Sequence, residues 1–130
     1  MTNKKATGNR TAAQQTGQFA EDEACKYLLQ QGMRFIMRNY RCRMGEIDLI
    51  FRDETDVVFV EVRYRKSAHF GDGAESVNYF KQQKLIRAAA LYIQRYSVAL
   101  PCRFDVISVA PGLDKKLHFE WIKSAFETEW

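Results

Sequence analysis

The chain has 130 residues, of which 46% are hydrophobic and 28% charged, which bounds it to one ordinary globular domain able to bury a core without staples. It carries a net charge of +4, and no apolar run approaches the roughly 18 residues that would cross a bilayer. The three cysteines, Cys25, Cys42 and Cys102, are scattered and odd in number, which argues against a disulfide framework or a zinc site; Cys25 and Cys102 read as core residues.

Residues 1–15 are small, polar and basic, and read as a flexible arm, although Thr11 with Gln14 has the spacing of a capping box. The arm lacks the apolar centre of a secretory signal, so a cytoplasmic protein without membrane association is expected. From there, residues 16–130 read as a single domain. A helix is predicted over Thr16–Gln31, with Ala20, Ala24, Tyr27 and Leu28 on one face and Gly32 as the stop. Glu21 lies beside that stripe, where the residues alone make it an acid favoured by the helix dipole. Met33–Arg43 reads as a first strand.

Met44–Arg65, MGEIDLIFRDETDVVFVEVRYR, reads as a hairpin with strands at Ile47–Phe51 and Val57–Val62. A turn centred on Glu54-Thr55 puts Asp48 directly opposite Glu61, with Arg63 two residues on. Opposed like charges destabilise a hairpin, and a carboxylate among valines is costly to desolvate. A bound cation or a basic neighbour would compensate, and Arg63 is such a neighbour. Gly45 allows a bulge or a close approach of a ligand to the backbone.

Ser67–Glu75 reads as a loop with a turn at Gly71-Asp72-Gly73. Ser76 is the expected cap of a second helix over Val77–Tyr96, whose core side carries Leu85, Ala88, Ala89, Tyr92 and Tyr96. Pro101 breaks the chain before a strand at Arg103–Val109, in which Asp105 reads as structural. A last strand is expected at Leu117–Ile122, followed by a short helix or tail over Ser124–Trp130. The fold class is therefore mixed α/β: a central mixed five-stranded sheet flanked by helices, in the order α-β-β-β-α-β-β. The basic residues are clustered around the hairpin: Arg34, Arg38, Arg41 and Arg43 before it, and Arg63, Arg65 and Lys66 after it. Lys81, Lys84 and Arg87 follow on the second helix. Such clustering beside carboxylates suits a polyanion.

The strings RNYRCRMGEIDLIFRD, VFVEVRYR, SVNYFKQQKLIRAAALYI and CRFDVISV together resemble the bacterial UPF0102 (YraN) family over about residues 16–126. That family is similar to archaeal Holliday-junction resolvases and to the restriction-endonuclease-like PD-(D/E)xK nucleases. The resemblance implies that fold and an endonuclease that hydrolyses DNA phosphodiester bonds with Mg²⁺ or Mn²⁺, branched and junction forms being candidate substrates. Carried over by position, Glu21, Asp48, Glu61 and Arg63 are the expected catalytic residues. Asp48, Glu61, Glu21 and the Val62 backbone carbonyl are the expected metal ligands, so the three acids are expected to converge. Lys81, Lys84, Arg43, Arg65 and Lys66 are the expected nucleic-acid contacts, and a homodimer is expected by analogy. Two positions depart from the family pattern: Ala20 replaces glycine, and Arg63 replaces the motif lysine. The second departure keeps open a silent nucleic-acid-binding or adaptor domain on the same fold. A protein-interaction module acting through Ser67–Glu75 is a third reading.

Overall fold

The computed structural model describes residues 11–66 and 77–128. The elements are helix α1 (Ala12–Gln30), strands β1 (Arg34–Cys42), β2 (Gly45–Arg52) and β3 (Val57–Tyr64), helix α2 (Tyr79–Tyr96), and strands β4 (Cys102–Pro111) and β5 (Leu117–Phe126). The five strands lie side by side in chain order. Neighbours are antiparallel except β3 and β4, which are parallel and are joined through α2. The mixed α/β architecture expected from hydrophobic period and turn signals is the one observed. No helix among the described residues is long and apolar enough to cross a membrane.

Each face of the sheet is covered by one helix. On one side Ala20, Ala24 and Leu28 of α1 pack on Leu49, Phe51, Val58, Val60, Ile107 and Val109. On the other, Leu85, Ala88, Ala89 and Tyr92 of α2 pack on Ile50, Val57, Phe59, Phe104 and Val106. The small alanines let each helix axis approach the sheet closely, and branched aliphatic side chains fill the pleats between.

Several boundaries differ from those the sequence suggests. Helix α1 begins at Ala12, because the Thr11–Gln14 capping box forms in full and carries the helix back past the apolar stripe. Residues 1–10 of the predicted arm, and the predicted loop Ser67–Glu75 with its cap Ser76, lie outside the described residues. The cap of α2 is Asn78, whose side chain accepts the Lys81 N–H at 2.8 Å, so the helix starts two residues later than expected. Tyr96, placed on the core side, is instead 46% exposed in the last turn of α2, where Ser97 turns left-handed.

The end of the chain is also corrected. Ser124–Phe126 continue β5 as strand where a helix or tail was expected. Ser124 takes a left-handed φ of +50°, and the β4–β5 register shifts between Phe104 and Val106. Asp105 fills the interruption by accepting the Ser124 N–H at 2.9 Å, and so holds the strand together past the bulge. Gly45 takes a φ of +150°, a backbone conformation that residues with a side chain rarely adopt, and a Cβ there would meet Lys84 at 3.5 Å, an ordinary packing distance.

Candidate functional site

Asp48 sits where two strands lose their regularity. The β2–β3 ladder pairs Arg52 with Val57 through Leu49 with Val60, the register expected from a turn at Glu54-Thr55. The ladder ends there, one residue short of Asp48 and of Glu61. Along β2 the alternation of faces is interrupted at this point, since Ile47 packs in the α2-side core and Leu49 in the α1-side core. In β1, Asn39 adopts a left-handed φ of +56°, a conformation asparagine tolerates better than branched residues. With the ladder broken, the Asp48 carboxylate takes a backbone group for itself. Its Oδ2 accepts the Val62 N–H at 2.9 Å.

Among the described residues that is the hydrogen-bond donor given to Asp48, and it leaves the carboxylate short. Asp48 is driven up from its ordinary value to about 7, first by desolvation and then by the charge of Glu61, with the Val62 N–H and Lys81 opposing. The Glu61 carboxyl is close enough to Asp48 to oppose its ionisation. Glu61 is buried, at 6% exposure, on the all-buried stretch of β3. Its Oε2 lies 3.3 Å from the Lys81 Nζ, which reaches in from the first turn of α2. Two carboxylates and one ammonium thus meet between β2, β3 and α2.

Glu21 approaches the same place from α1 but is engaged elsewhere. Its Oε1 accepts from Arg38 Nε at 3.3 Å, and the same guanidinium binds Asp22 and the Gln18 carbonyl. Desolvation raises Glu21 to about 7, the Asp48 charge adds to this, and Arg38 opposes it. Glu21 is therefore close enough to feel Asp48 while its hydrogen bond goes to Arg38. Among the described residues, no three carboxylate, cysteine or histidine side chains are grouped so as to hold a metal ion. A cleft of about 550 Å³ opens beside Glu21, between α1 and the Asn39–Glu46 part of the hairpin, with Gln14, Gln18 and Arg41 on its walls.

The remaining expected residues divide by place. Arg63 is half-buried on β3, in register with Ser108 of β4. Val62 packs against the α1-side core. The Arg65 N–H donates to the Val109 carbonyl at 2.8 Å, and Lys66 is exposed just beyond. The Lys84 ammonium lies over the Phe80 ring, 5.0 Å from its centroid. Arg43 is apart from these: it lines a surface groove with Gln94 and Arg95, roughly 20 Å along α2 from Lys81 at 1.5 Å per residue. The residue that sequence reasoning missed is Arg38, seen only as one of a basic cluster. Its tie to Glu21 spans 17 positions, and no local spacing announces such a contact.

A family profile described as "Uncharacterised protein family UPF0102" matches residues 20–109, a span that takes in Glu21, Asp48, Glu61, Arg63 and Lys81. A UPF0102 protein from Janthinobacterium sp. (strain Marseille) is 50% identical over 118 residues, covering 91% of this chain and 92% of the relative. One from Herminiimonas arsenicoxydans is 46% identical, with 92% of each chain covered. Another, from Legionella pneumophila subsp. pneumophila, is 46% identical over 88% of this chain and 96% of the relative. On the strength of these matches, the chain belongs to the UPF0102 family.

Proposed function

We propose that the protein is a divalent-metal-dependent endonuclease that hydrolyses phosphodiester bonds in DNA. The observation that carries this reading is the Asp48–Glu61 carboxyl pair, one half-buried and one buried, at an interruption of the sheet, where among the described residues one backbone N–H serves Asp48. Two carboxylates pressed together this way resist joint ionisation, and a cation between them would relieve that resistance. The donor set is hard oxygen, the chemistry that Mg²⁺ and Mn²⁺ prefer. Asp48 and Glu61 would hold the ion, with the Val62 backbone carbonyl as a third oxygen. Glu21 would join directly on leaving Arg38, or act through a water.

When bound, such an ion neutralises phosphate charge and makes a water acidic enough to attack at neutral pH. The chain's own residues do the rest. Arg63 brings a guanidinium, which binds a phosphate oxygen and steadies charge in the transition state. Glu21, raised to about 7, exchanges a proton near neutrality and suits a base beside the attacking water. Lys81 holds Glu61 in place and offers the remaining reach of its ammonium to a neighbouring phosphate. Arg65, Lys66 and Lys84 extend the cationic surface away from the pair.

A second reading has its own support. Glu21 is bonded to Arg38 and Glu61 to Lys81, an arrangement equally suited to a domain that binds nucleic acid without cutting it. One experiment separates the two. Purified protein is incubated with linear, flapped and four-way-junction DNA, with Mg²⁺, with Mn²⁺ and with chelator. The endonuclease reading expects metal-dependent cleavage that disappears in Asp48→Asn and in Glu61→Gln while binding persists. Metal-independent binding with no cleavage of any form would establish the silent domain instead.

A further inference from the structure

The first turn of α2 carries two aromatic rings that the core does not use. Tyr79 is 73% exposed and Phe80 70%, the most exposed aromatic side chains among the described residues. The next residue is Lys81, whose ammonium lies 3.3 Å from Glu61, so the rings belong to the helix turn that reaches the acid pair. One turn further on, Lys84 places its ammonium over the Phe80 ring. A solvated helix surface has no need of adjacent bare rings, and the sheet is already covered on this side by Leu85, Ala88, Ala89 and Tyr92.

The chemistry of this patch selects its occupant. Open ring faces take other flat π systems, and ammonium groups beside them take phosphates. A polynucleotide with unpaired bases offers both at once. An intact duplex offers only its phosphates, because its bases are already stacked on one another. A protein partner with an apolar surface would gain nothing from Lys81 and Lys84. We propose that Tyr79 and Phe80, with Lys81 and Lys84, form a stacking platform for unpaired nucleotides of the strand that enters the Asp48–Glu61 site. The location of the scissile phosphate rests on the hydrolytic reading above; the binding of unpaired bases does not. The substrate class is thereby narrowed to nucleic acid with a single-stranded segment, such as a flap, gap or open junction.

The test measures binding with the metal removed by chelator, so that no hydrolysis intervenes. Fluorescence anisotropy follows labelled single-stranded DNA of about 15 nucleotides, the RNA strand of the same sequence, and a blunt DNA duplex. For the wild type, a single strand of one or both sugar types binds more tightly than the duplex at equal salt. Tyr79→Ala with Phe80→Ala weakens that single-strand binding roughly tenfold or more and leaves duplex binding within about twofold. Tyr79→Trp with Phe80→Trp restores it. Both sites are exposed, and thermal unfolding of each single variant verifies that the fold is kept. The proposal is overturned if the double alanine variant binds single strands as the wild type does, if it weakens duplex and single strand equally, or if the wild type prefers the duplex. Cleavage lost in Asp48→Asn but untouched by ring removal would sink the platform and leave the nuclease standing. Ring-dependent binding without cleavage would do the reverse.

Discussion

Two aspartates in this molecule, Asp48 half-buried and Asp105 fully buried, meet the same local problem and receive opposite treatment. Asp48 and Asp105 both sit where a strand ladder is interrupted, and both accept a backbone N–H across the gap. Asp105 is then finished off. Arg103 Nε donates to both of its oxygens at 3.1 and 3.3 Å, and the Trp121 indole donates at 2.9 Å. Asp48 receives the Val62 N–H and then meets a second acid, Glu61. An interrupted ladder therefore does not by itself distinguish a structural carboxylate from a chemical one. The supply of donors does, because a carboxylate left short of them retains affinity for a proton or a cation.

The sharpest way to break this comparison is to remove the satisfied aspartate. Asp105→Ala strands the Ser124 N–H and the Trp121 indole and leaves Arg103 its ion pairs with Asp53 and Asp56. A loss of about 1–3 kcal/mol in urea unfolding is expected, as for buried donors left without an acceptor. A loss below about 1 kcal/mol would mean that Asp105 is not the tie that holds β4 to β5. Asp48→Asn is the contrasting case. It keeps the shape, removes the repulsion with Glu61, and is expected to leave stability at pH 8 unchanged or higher. The same substitution lowers hydrolysis by at least ~10²-fold, the scale of losing one preorganised charged group.

A pH series sharpens the contrast further. The unfolded Asp48 titrates near 4 and the folded one at about 7, so the folded chain holds the extra proton across that window. Stability is accordingly full below about pH 4 and is lost as pH rises to about 7. Glu21, raised in the same direction, adds to the slope. Unfolding of the wild type and of Asp48→Asn, compared at pH 5 and pH 8, is expected to show the variant gaining relative stability at the higher pH. A variant that gains nothing on the wild type between pH 5 and pH 8 would mean that Asp48 is not held neutral by its surroundings. The smallest expected effect is that of Lys81→Ala. Losing the ammonium removes a charge that lowers Asp48, so the rise of hydrolysis with pH moves to higher pH, a shift that a pH–rate profile reads directly.

How much of this is legible in the sequence depends on the range of the cause. The β2–β3 register follows from a local turn and from period-two hydrophobicity, so the opposition of Asp48 and Glu61 is readable from the residues alone. The capping box at Thr11 and Gln14 is readable for the same reason. The α2 cap is a choice between two good cap residues, Ser76 and Asn78, which local propensity does not rank. The continuation of β5 through Ser124 depends on Asp105, 19 positions away, and strand propensity carries no trace of it. Glu21 acquires meaning from family likeness and from Arg38, both invisible to periodicity.

The most direct measurement is of Mn²⁺ binding, read from the loss of the free-ion signal in electron paramagnetic resonance. The account predicts one site per chain in the wild type, weakened as pH falls below about 7 and abolished in Asp48→Asn, while Asp105 variants that remain folded keep it. Binding that survives in Asp48→Asn, or its absence from the wild type at neutral pH, would contradict the account.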